Sequence, residues 1–109
     1  MEFDKKTQEK IKELQGFEQN LQSLLMQKQA FQMELSETEN SFSEIKNSKD
    51  DVFKMVGQII IKADKKNVEE ELIKKQELLS LRLKSIETQE SKLTNELETV
   101  RKEVMEKIK

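Results

Sequence analysis

Val52-Phe53-Lys54-Met55-Val56-Gly57-Gln58-Ile59-Ile60-Ile61-Lys62 is an apolar, largely β-branched stretch broken at its middle by Gly57-Gln58, and the patterns on its two sides mirror each other. Glycine plus one polar residue between two such runs fits a two-residue β-hairpin turn, with the glycine supplying positive φ at the first central position. On the N-terminal side, beyond the polar turn formers Asn47-Ser48-Lys49-Asp50-Asp51, lie Leu14, Phe17, Leu21, Leu24, Lys28, Phe31, Leu35, Thr38, Phe42 and Ile45. On the C-terminal side lie Leu72, Gln76, Leu79, Leu83, Ile86, Glu90, Leu93, Leu97, Val100 and Val104. Each series alternates three- and four-residue steps and is apolar at eight of ten positions, a sustained heptad seam. The expected fold is therefore mainly α: two long helices forming an antiparallel coiled coil joined by a β-hairpin. Helix one is expected over residues 4–46, the hairpin over 52–63 and helix two over 67–109, within one domain of residues 1–109. Each helix would measure about 60 Å at 1.5 Å per residue.

Composition supports stripes rather than a thick core. Of 109 residues, 39% are charged and 34% hydrophobic, and with no proline and only Gly16 and Gly57 little interrupts a helix. Histidine and cysteine are both absent, which removes disulfides, soft metal ligands and the commonest general acid/base side chain, and fits a cytoplasmic location. The longest wholly apolar run near the bend is Ile59-Ile60-Ile61, so neither a membrane span nor a signal peptide is expected. A net charge of −2, with lysine and glutamate interspersed, offers no basic face to nucleic acid. Nucleophile, phosphate loop and metal cluster are all unrecognisable, and acidic groups such as Asp50-Asp51 and Glu69-Glu70-Glu71 read as turn and helix-start charges. The chain is thus read as a non-enzyme without cofactors.

Folding the hairpin antiparallel opposes residues whose numbers sum to 114, so that Phe42 meets Leu72, Leu35 meets Leu79, Phe31 meets Leu83 and Leu21 meets Leu93. Thr38 falls opposite Gln76 as a shared polar layer, and Lys28 lies within reach of Glu90. Such isolated polar positions in a seam fix register at some cost in stability. Asn67, with Glu70 three residues on, is expected to cap helix two.

Both faces of the hairpin are largely apolar: Val52, Lys54, Val56, Ile59, Ile61 and Ala63 on one, Phe53, Met55, Ile60 and Lys62 on the other. A lone two-stranded hairpin is marginal in water, and its open edges invite strands from other chains. Val52, Phe53, Met55, Val56, Ile59, Ile60 and Ile61 are the expected oligomerisation residues, joining hairpins from several chains into a shared sheet or an intersubunit β-barrel. Off the seam, Met33 and Leu81 are read as further contacts between subunits. Near the chain ends the seam turns polar at Thr7, Lys10 and Lys107, so the helix ends are expected to splay and expose Phe3, Ile11, Met105 and Ile108. Mobile apolar patches that include methionine bind unfolded chains with little sequence preference.

The hairpin segment, continued through Ala63-Asp64, resembles that of the prefoldin family in its archaeal β-type form. That segment usually runs valine, tyrosine, lysine, two variable residues, glycine, then an aliphatic strand closed by lysine. Phe53 stands where the family usually has tyrosine, which removes a hydroxyl and keeps the apolar role. Gln27-Lys28-Gln29 and Glu87-Thr88-Gln89-Glu90 also look like family segments, and the likeness covers essentially the whole chain. The resemblance implies a hexamer of two α-type and four β-type subunits, with hairpins in β-barrels and coiled coils projecting as tentacles. It further implies an ATP-independent holdase that captures unfolded proteins at the tentacle tips, with Phe3, Ile11, Met105 and Ile108 as the expected client-binding residues, and delivers them to a group II chaperonin. The rival reading is a coiled-coil scaffold or tether without client-holding activity.

Overall fold

The computed structural model describes residues 4–108. Helix α1 spans Lys5–Asn47, strands β1 and β2 span Val52–Val56 and Ile59–Ala63, and helix α2 spans Lys65–Ile108. The helices contain 43 and 44 residues. The strands pair antiparallel with Val52 opposite Ala63 and Val56 opposite Ile59. Gly57 has φ of +61° and no other described residue has positive φ, so the Gly57-Gln58 turn is of the II′ kind, whose twist suits a right-twisted hairpin.

The chain forms two compact units, one of Met1–Gln29 with Lys84–Lys109 and the other of Ala30–Leu83. In the first, Ile86, Leu97, Val100 and Val104 of α2 are buried, facing the half-buried Leu14, Phe17, Leu21 and Leu24 of α1. The second buries Val52, Leu79 and Leu83, with Phe31, Leu35, Phe42, Ile45 and Leu72 half-buried. Every one of the twenty seam positions is buried or half-buried. The α2 side is the better covered: Leu79 is only 4% exposed.

The polar seam positions resolve differently. Lys28 Nζ lies 3.1 Å from Glu90 Oε2, as the register requires. Thr38 is buried and Gln76 half-buried, in keeping with a shared polar layer, and the Thr38 hydroxyl donates at 2.7 Å to the Glu34 carbonyl of its own helix. Back-bonding within a helix competes for a hydroxyl with any partner across the seam. The cap of α2 differs from the expected one. The helix begins at Lys65, and Val68 N–H donates to the Asp64 carbonyl at 3.0 Å, placing Asp64 at the cap and Asn67 inside the first turn. Aspartate caps as well as asparagine, and Asp64 directly follows the last strand residue.

Candidate functional site

The hairpin is the most exposed apolar element described. Its flanking pair Val56 and Ile59 closes a two-residue turn by exchanging hydrogen bonds, and the pairs alternate from there. Phe53 and Met55 on β1, and Ile60 and Lys62 on β2, therefore turn their N–H and C=O groups away from the partner strand, toward the two open edges. Apolar side chains stand on both faces: Met55 is 71% and Ile60 63% exposed, and Phe53, Val56, Ile59 and Ile61 are exposed as well. Among the expected oligomerisation residues only Val52 is buried. The two lysines are drawn aside. Lys54 Nζ donates to both carboxylate oxygens of Glu71, at 2.9 and 3.1 Å, and Lys62 Nζ lies 3.6 Å from Asp51 Oδ2. What remains is an unblocked edge and a greasy face on each side, a surface chemically suited to further strands.

Around the chain ends the expected splaying is not found. Asp4 caps α1 by accepting the Thr7 N–H at 2.7 Å, and Thr7 is only 2% exposed. Lys10 pairs with Glu103 of α2, and Val104 is buried beside it in sequence. A small capped threonine and a cross-helix ion pair let the seam continue where a run of polar positions suggested fraying. The hydrogen bonds from the Thr7 side chain and amide hold the Asp4 carboxyl below its ordinary range, with Lys107 adding a smaller charge effect. The Glu103 carboxylate, by accepting from it, raises Lys10 above its ordinary range.

Met105 and Ile108 are nevertheless 51% and 40% exposed, because they project from α2 off the seam. Ile11 on α1 is half-buried, and Phe3 lies outside the described residues. Met33 and Leu81, on the other compact unit, are both open to solvent. Two contributors escaped sequence reasoning. The Asp4 cap was signalled by aspartate three residues before threonine, whereas Lys65, whose ammonium bonds the Lys46 and Ser48 carbonyls, carried no local signal at all.

No described helix is long and apolar enough to cross a membrane, and no group of acidic residues among those described is arranged to hold a metal ion.

Comparison with known proteins agrees with this layout. The family profile described as "Prefoldin subunit" matches residues 8–109. The prefoldin subunit beta of Thermococcus onnurineus is 40% identical over 98 residues, covering 88% of this chain and 81% of that protein. That of Methanosarcina acetivorans is 32% identical over 107 residues, covering 96% and 92%. The crystal structure of the prefoldin beta subunit from Thermococcus strain KS-1 matches with a TM-score of 0.89 at 32% identity, over 96% of this chain and 94% of that one. With its seams, its single hairpin and nearly its whole length accounted for by these relatives, the chain belongs to the prefoldin family and is similar to its β subunits.

Proposed function

We propose that this chain is the β-type subunit of an ATP-independent holdase that captures unfolded proteins and passes them to a group II chaperonin in the cytoplasm. A chaperone-type function follows from family membership. The finer reading rests on one observation above all: the hairpin carries exposed apolar side chains on both faces, and Met105 and Ile108 add exposed apolar side chains on α2 near the C-terminus. A coiled coil serving as a tether needs neither. The hairpin is the assembly element, pairing edge to edge with an α-type subunit and with other copies of this chain into a β-barrel of a hexamer. Met105 and Ile108, with Ile11 and Phe3, are the client contacts, offering non-directional apolar surface to chains of any sequence.

The test is suppression of aggregation by the assembled complex with several unrelated denatured proteins. Replacing Met105 and Ile108 together with serine should lower protection several-fold, while leaving oligomer mass and helix content unchanged, since both side chains are substantially exposed. Protection of no client by the unaltered complex would leave the tether reading in place.

A further inference from the structure

The hairpin meets the helices through two unequal connections. Between β2 and α2 stands one residue, Asp64; between α1 and β1 stand Ser48, Lys49, Asp50 and Asp51. The longer connection contains no apolar side chain, and three of its four residues are exposed, so packing cannot hold it. At the base of the hairpin Val52 is buried and Ala63 half-buried, and the remaining restraint on its direction must come from the polar connections.

Lys65, the first residue of α2, supplies that restraint. Its ammonium donates to the Ser48 carbonyl at 2.7 Å and to the Lys46 carbonyl at 3.2 Å. These acceptors lie at the C-terminal end of α1, where helix carbonyls lack intrahelical partners and the helix dipole favours a cation. Ser48 N–H closes the last turn onto Ile45 at 3.2 Å, and the Ser48 hydroxyl accepts from Asp50 N–H at 3.1 Å. One ammonium thereby ties the start of α2 to the end of α1 and, through Ser48, to the lead-in of β1. Two other lysines touch this region. Lys62 with Asp51 joins the connection to β2, not to a helix, and is exposed on both sides. Lys54 with Glu71 does join β1 to α2, but as an exposed ion pair that salt screens. Lys65 is half-buried and bonds neutral backbone carbonyls, so its tie survives salt.

We infer that Lys65 is the positioning residue of this elbow, clamping the end of α1 and the start of β1 to α2 so that the hairpin is held in one orientation against the helices. A hairpin already oriented loses less freedom when it pairs, which favours association. Only this consequence rests on the assembly reading above.

The chain contains no cysteine, so a spin-label pair can be introduced at Gln58→Cys and Glu39→Cys without background. An Ile60→Lys background keeps the measurement within one chain. The interlabel distance distribution should be narrow with lysine at position 65, at least two-fold broader with Lys65→Met, and narrow again with Lys65→Arg, at equal helix content throughout. Lys54→Met should broaden it less, and not at all in about 1 M salt, where the Debye length is about 3 Å. Equal widths with lysine and methionine would overturn the inference. So would loss of helix content in Lys65→Met, an arginine variant as broad as the methionine one, or a Lys54→Met variant broader than either. With Ile60 restored, Lys65→Met should raise the concentration needed for oligomer formation at least ten-fold. Absence of oligomers in the unaltered protein would count against hairpin assembly and leave the distance result standing.

Discussion

The two glycines make opposite demands on the chain. Gly57 sits at φ of +61°, where an L side chain is strained whatever room surrounds it. Gly57→Ala should lower the melting free energy by about 1–2 kcal/mol. Gly16 lies inside α1 with nothing within 4 Å of where a Cβ would stand, so Gly16→Ala should stabilise by about 0.5–1 kcal/mol through helix propensity alone. Thermal unfolding of the two variants checks both signs. Two titrating residues set the pH limits of the α1 N-terminus. Asp4 is lowered on folding, so its contribution is present above its unfolded pKa of about 3.9 and is lost as pH falls through the still lower folded value. Lys10 is raised, so its contribution holds below its unfolded pKa of about 10.4 and disappears as pH rises through the higher folded one. The Thr7 amide resonance should therefore titrate at low pH, and Asp4→Asn should remove that titration while keeping the cap.

Among elements, the hairpin separates folding from association. Met55 and Ile60 oppose each other on one exposed face, so Met55→Lys with Ile60→Lys removes little from the isolated chain. Helix content and melting temperature should stay within about 0.5 kcal/mol of the parent's stability, while native mass spectrometry should show single chains only. Oligomers surviving that double substitution would move the assembly surface elsewhere. The helices were the most legible elements in the sequence, because a three-four repeat over about nine turns has few other physical meanings, and the positions of the two series from Leu14 to Ile45 and from Leu72 to Val104 are all buried or half-buried. Gly57-Gln58 was equally plain, since a short turn with glycine at its first central position leaves little choice of geometry. Hydroxyls and caps were harder. The Thr38 hydroxyl bonds Glu34 of its own turn, which the heptad count does not show, and Asp64 took the role assigned to Asn67, because local bonds compete over distances of a few residues that periodicity does not rank.

For the whole molecule, an account of function read from sequence divides by the kind of signal each surface leaves. The hairpin announces itself as two apolar runs rich in β-branched residues on either side of Gly57-Gln58, and family resemblance adds to it. The client contacts proposed above leave no such mark, because a surface suited to many sequences has no motif; Met105 and Ile108 stand out only by their place off the seam. The splaying once expected beside them is overridden by the Asp4 cap and the Lys10–Glu103 pair, interactions that join polar residues a heptad count treats as breaks. Lys65 was invisible for a related reason: its acceptors are backbone carbonyls 17 and 19 residues away.

The antiparallel return has a consequence during translation. Lys10 and Glu103 are 93 positions apart, so a ribosome adding about 5–20 residues per second exposes Lys10 roughly 5 to 20 s before its counterion is made. For that interval Phe17, Phe31 and Phe42 have no α2 to cover them, and a lone helix with a narrow greasy stripe gains little from tertiary packing. Until its final turns emerge, each newborn copy carries an uncovered apolar stripe along its first helix.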